Sequence, residues 1–163
     1  MEQPISSPLS ERELIYERVI DAPPEVLFRA WTEPELLKQW FCPKPWSVSS
    51  AELDVRPGGC SLIMMVGPEG QEFPNRGLYL DVVKNERLVF TDAFVEPWVP
   101  SEKAFMVGTI LFEAFGTKTK YKAVLRHWSV ADREAHQKMG FPQGWEIATN
   151  QLIELIQRMG PAT

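Results

Sequence analysis

The chain has 163 residues, 44% apolar and 24% charged with six tryptophans, a composition that excludes a disordered polypeptide and suits one domain with a real core. Its formal charge of −5 and pI near 5.1 exclude an electrostatic partnership with nucleic acid, which needs a clustered Lys/Arg surface. No apolar run reaches the roughly 18 residues of a membrane span, and the polar start from Met1 to Glu13 lacks the pattern of a secretion signal. The expected compartment is the cytoplasm, with Cys42 and Cys60 as free thiols.

Residues 1–12 carry prolines and serines without periodicity and read as a flexible tail before one domain over 13–160. The β-branched and aromatic run Leu14 to Ile20 predicts a strand, ended by Asp21-Ala-Pro-Pro24. Pro24 suits a first helical turn, with Val26, Leu27, Ala30 and Trp31 on one side, and Glu33-Pro34 opens a second short helix through Leu36, Leu37 and Trp40. From residue 47 the apolar period becomes two, and turn signals recur about every ten residues, as in an antiparallel meander. The predicted strands are 47–55, 60–66, 76–83, 87–94, 104–115 and 117–127. Ser129 with Asp132 three residues on predicts an N-cap and a short helix over 131–139.

The last stretch organises the rest. Phe141, Trp145, Ala148, Leu152, Leu155, Ile156 and Met159 recur at mostly helical steps, while Glu146, Asn150, Glu154 and Arg158 fall between them and face water. At about 1.5 Å per residue the helix spans roughly 27 Å, and Gly160-Pro161 stops it. Its apolar face needs a sheet to cover it. The fold class is therefore α+β, with a sheet of six to seven strands packed on one long C-terminal helix.

The run Arg18-Val-Ile-Asp-Ala-Pro23, then Ala30-Trp-Thr-Glu-Pro34 and Leu37-Lys-Gln-Trp-Phe41, resembles the opening of proteins related to the heat-shock-protein-90 ATPase activator, within the START-like helix-grip superfamily (SRPBCC). Asp54-Val-Arg-Pro-Gly-Gly59, Gly77-Leu-Tyr79, Glu86-Arg-Leu-Val89, Gly116-Thr117, and Gly144-Trp145 followed by Leu152 extend the likeness over about residues 14–157. The resemblance implies a curved antiparallel sheet gripping the C-terminal helix, with a cavity for a small apolar or amphipathic molecule. It implies no shared reaction, because such a fold hosts many functions. One domain leaves little room for the activator's additional chaperone-binding sequence, which argues against a chaperone partner.

Alternation predicts which side chains line that cavity. Lys118, Lys120 and Lys122 put one face of the last strand in water, so Thr119, Tyr121, Ala123, Leu125 and His127 face the helix. The same phase sends Leu88, Phe90, Asp92 and Phe94 inward. A buried carboxylate and imidazole within reach of each other suit acid–base chemistry such as a cyclase or dehydratase performs; solvated strand-end residues are the structural alternative. Tyr79 and Tyr121 offer hydroxyls to a ligand, or serve as core. Trp31, Trp40, Phe41 and Trp46 surround the short helices, one of Met64 and Met65 faces inward, and Trp145 joins from the long helix. The expected ligand-binding set is Trp40, Trp46, Met64, Tyr79, Phe90, Asp92, Tyr121, His127 and Trp145. The segment 94–101 suits a lid, a homodimer contact or a protein-interaction module. Cys42, Cys60, His127 and His136 lack metal-site spacing, and no phosphate loop, dinucleotide fingerprint or nucleophile elbow is present, so neither metal nor cofactor is expected.

Overall fold

The computed structural model describes residues 9–159; the expected flexible tail over 1–8 and the helix stop at Gly160-Pro161 lie outside them. Leu9–Arg12, read as tail from the sequence, forms a turn of 3-10 helix. The strands are β1 (Glu13–Ile20), β2 (Ser47–Leu53), β3 (Cys60–Val66), β4 (Glu72–Val83), β5 (Arg87–Thr91), β6 (Phe94–Glu96), β7 (Val99–Pro100), β8 (Met106–Phe115) and β9 (Lys118–His127). The helices are α1 (Pro24–Thr32), α2 (Pro34–Leu37), α3 (Val130–Lys138) and α4 (Phe141–Met159). Seven strands make one antiparallel sheet in the order β1-β9-β8-β5-β4-β3-β2, and β6 and β7 pair as a separate hairpin.

Two predicted boundaries shift for identifiable reasons. β4 starts at Glu72 rather than 76 and contains Pro74. That residue lies where β4 pairs only with β3, because β5 joins the sheet from Leu78 onward; an open edge tolerates a residue with no N–H. The run 87–94 divides because the Asp92 carboxylate accepts the backbone N–H groups of Phe105 (2.9 Å) and Met106 (3.1 Å). This turns the chain out of β5 and into the hairpin, which takes Phe94 away from the interior.

Side chains alternate along a strand, so the register stacks the inner face in rows. Tyr79, Phe90, Gly108 and Leu125 form one row, Leu88, Ile110 and Ala123 the next, and Phe112 and Tyr121 a third. α1 and α4 close over these rows. Leu27, Ala30, Leu88, Ile110, Ala123 and Leu152 have no solvent exposure, and they belong to one cluster with Trp31, Trp40 and Ile156. A smaller cluster of Leu37, Cys42, Val48 and Ile63 fills the β2–β3 end. Cys42 and Cys60 form no disulfide, and burial pushes the Cys42 thiol up to about 11. Among the described residues no helix is long and apolar enough to cross a membrane.

Candidate functional site

The residues best placed to meet a small molecule are the aromatic rings between the sheet and α4. Trp31, brought inward by the apolar stripe of α1, lies at their centre, with Trp40, Phe41, Phe90 and Trp145 at centroid distances between 5.0 and 6.3 Å. The Phe90 and Trp145 planes lie 29° and 27° from that of Trp31, while Trp40 meets it edge to face at 67°. Such offset and edge contacts hold rings together beyond their area burial. Phe90 has room to lie over β8 because Gly108 opposite carries no side chain: a Cβ there would stand 2.6 Å from the ring. Phe41, Phe90 and Trp145 are half-buried although they belong to the inner layer, which makes them its accessible margin.

Polar groups are few. Trp31 donates its indole N–H to the Tyr121 hydroxyl at 3.1 Å, and Trp40 donates to the Ala30 carbonyl at 3.0 Å. Burial raises the Tyr121 phenol far above its usual range, so it stays protonated and retains a hydrogen to give. Tyr79 is raised to about 12, chiefly by burial and secondarily by the Asp54 charge. A protonated phenol bordering an apolar layer can offer its hydrogen to an acceptor atom on a ligand.

The sequence-predicted residues separate into groups. Tyr79, Phe90, Tyr121, Trp145 and Trp40 come together, with Trp40 buried as support for Trp31. Trp46 packs instead against the β2–β3 cluster, and so does Met65. Met64 is the residue between Ile63 and Met65 and therefore points to the opposite face, against the expectation that placed it inside. Asp92 and His127 do not form a pair. Asp92 is occupied by backbone N–H groups, whereas His127, 2% exposed, has Nδ1 2.8 Å from the Arg12 carbonyl and Nε2 2.9 Å from Nδ1 of His136.

His136 is the partner that sequence reasoning missed. It stands on α3, nine residues from His127, with Phe105 and Phe141 at 5.2 and 5.4 Å. Burial, and then the neighbouring His127, lowers it to about 4. Rings continue from this pair through Phe141 to Trp145, 5.8 Å away, and so to Trp31. A second missed cluster lies between β1 and α4. Tyr16 donates to Glu146 at 2.5 Å, and Arg18 donates to Glu146 and Asn150 at 2.8 and 2.7 Å. Glu146 and Asn150 are exposed as expected, yet both are held, because alternation puts Tyr16 and Arg18 of β1 on the helix side.

The rings occupy the layer between the sheet and α4 where the ligand was expected. The two depressions described, about 470 and 380 Å³, lie against α3 and the N-terminal turn and across the ends of β2 and β3; neither is lined by α4. Among the described residues no three His, Cys, Asp or Glu side chains gather as a metal site would require.

Comparison with known proteins places this geometry. The family model described as Activator of Hsp90 ATPase homolog 1-like protein matches residues 21–157. A solved structure from Nitrosomonas europaea is 39% identical, covering 92% of this chain and 97% of that one, with a TM-score of 0.89. One from Chromobacterium violaceum is 25% identical over 88% and 96%, with a TM-score of 0.73. Another, from Mycobacterium smegmatis, is 19% identical over 96% and 98%, with a TM-score of 0.78, a likeness of fold alone. No curated protein matches the sequence.

Proposed function

The chain belongs to the Activator of Hsp90 ATPase homolog 1-like family, and on that premise we propose that it binds a small, largely apolar molecule between the inner face of the sheet and α4. The observation that carries the reading is the half-buried aromatic margin of Phe41, Phe90 and Trp145 around the buried Trp31. Flat rings that are packed but not sealed can part to admit another flat group, and they replace their mutual contacts with contacts to it. Tyr79 supplies a polar contact, so a ligand bearing one acceptor atom on an aromatic or polycyclic body fits best. The geometry gives less support to an enzyme of the cyclase or dehydratase type, because its intended acid–base pair, Asp92 and His127, is bonded to other groups.

Titration with an anilinonaphthalene sulfonate dye tests the proposal. Saturable binding with quenching of tryptophan emission is expected, weakened about ten-fold or more in Phe90→Ala and Trp145→Ala proteins whose circular dichroism remains native. Non-saturable binding, or equal affinity in all three proteins, overturns it. Native mass measurement of the purified protein would then identify a co-purifying ligand by the excess over its denatured mass.

A second reading, a protein-interaction module, rests on the β6–β7 hairpin. Trp98 exposes 83% of its surface there and holds a φ of 64°, a left-handed conformation that a bulky residue rarely adopts. Loss of a partner in Trp98→Ala, with dye binding intact, would favour that reading.

A further inference from the structure

α3 is attached differently from every other long element. None of its nine residues is buried. It is held to the domain by the His136–His127 hydrogen bond, by the His136 ring against Phe105 and Phe141, and by Arg133, which donates to the Glu11 carbonyl at 2.9 Å. Its own N-cap, Ser129 accepting from the Asp132 N–H at 3.0 Å, stabilises the helix but does not dock it.

The histidine pair has a definite proton logic. His127 Nδ1 faces a carbonyl, which only accepts, so Nδ1 carries a hydrogen. Neutral His127 therefore presents a bare Nε2, and His136 Nδ1 donates to it. One added proton preserves the bond, because one of the two facing nitrogens still accepts from the other. A second proton leaves N–H facing N–H, with two positively charged rings whose centroids are 5.1 Å apart, and the bond is lost.

We infer that α3 is an acid-released latch over the Phe105–Phe141 end of the aromatic layer, with the His127–His136 hydrogen bond as its catch. On α3 itself Asp132, half-buried one turn before His136, is the acid best placed to offset the second proton, and Glu134 is exposed; the remaining charged groups are engaged elsewhere. From the N-terminal turn, Arg12 faces the pair, donating to the His127 carbonyl at 3.1 Å. The Glu11 side chain is exposed, and on α3 itself Arg133 is bonded to Glu11 and Gln137. From β1 and β9, Glu13 and Arg126 satisfy each other at 3.0 Å. Tyr16 and Glu146 are bonded to each other, Asp92 holds two backbone N–H groups, and the first turn of α4 carries no acidic residue.

The direction with pH follows from His136. Released, it returns toward its ordinary 6.5; docked, it is held at about 4. The docked state binds fewer protons, so docking is fully stable above pH 6.5 and weakens as pH falls toward 4. Release would uncover Phe105 and Phe141 and, through Phe141, give access to Trp145. As regulation of the binding site this rests on the proposed ligand function; the release itself does not.

Hydrogen exchange read by mass spectrometry on the whole chain tests it, at pH 7 and 4.5 and corrected for intrinsic rates. Protection of peptides within 130–140 is expected to fall on the order of ten-fold at the lower pH, while peptides within 148–157 stay protected. In His136→Phe, which keeps a ring but cannot titrate, α3 protection should be the same at both values. Three results overturn the latch: no loss in the wild type, an equal loss in His136→Phe, or simultaneous loss in 148–157, which would be global unfolding. Dye binding measured in parallel separates the two proposals, since α3 release without saturable binding removes only the ligand reading.

Discussion

Helices α3 and α4 are neighbours in the chain, with only Met139 and Gly140 between them, yet they are held in opposite ways. α4 buries Phe141, Ala148, Thr149, Leu152, Leu155 and Ile156 against the sheet. α3 has no fully buried residue and is held by hydrogen bonds from Arg133 and His136 and by the His136 ring against Phe105 and Phe141. Apolar burial is insensitive to protons and is worth roughly 1.5–3 kcal/mol per large side chain. A hydrogen bond contributes about 1 kcal/mol and depends on the protonation of its partners. One helix is thus a fixed wall, and the other has a stability that the solution can change.

Substitutions should break or sharpen that contrast in a defined order. Leu152→Ala removes a side chain with no solvent exposure from the middle of α4 and is expected to cost about 2–5 kcal/mol of global stability, measured by denaturant unfolding. An effect below 1 kcal/mol would mean that α4 is not the wall described. Tyr121→Phe leaves the Trp31 indole N–H buried without an acceptor and should cost about 1–3 kcal/mol in the same assay, with a shifted tryptophan emission. Ser129→Ala removes the α3 cap. Its cost of about 1 kcal/mol should appear as faster exchange in 130–140 and as α3 release at a higher pH, with the global midpoint unchanged. A drop in that midpoint would show that the two helices fold as one unit. At the bottom of the scale, Glu33→Gln breaks an exposed pair with Arg29 on α1, and the melting temperature should not move measurably.

What the sequence could convey followed the same division. α4 was legible because its apolar residues repeat at the helical period, the inner face of β9 because Lys118, Lys120 and Lys122 alternate with inward residues, and that of β5 because Arg87 sets its outward phase. The family likeness added the grip of sheet on helix, which periodicity alone cannot orient. Features made by contacts between distant residues were not legible. Met64 and Met65 are both apolar, so their phase had no signal until β2 and β3 were paired. Asp92 continues the alternation of β5 by one step past its end, where the backbone has already turned. His127 ends a strand and His136 sits on a helix that reads as polar all round, so nothing in their spacing shows that they meet. Proline 74 hid the start of β4, because its tolerance depends on which strands flank it.

The arrangement of Trp31 and Trp40 has an optical consequence. Two indoles with centroids 5.0 Å apart and planes inclined by 67° have transition dipoles close enough for their excitations to couple. The protein should carry an exciton couplet in its ultraviolet circular dichroism, of opposite-signed bands, on top of the backbone signal. That couplet is a built-in reporter of ring order at the candidate site. It should weaken in Trp40→Phe, where the Trp31–Trp145 pair at 6.3 Å remains, and change in amplitude or sign as a guest parts the rings.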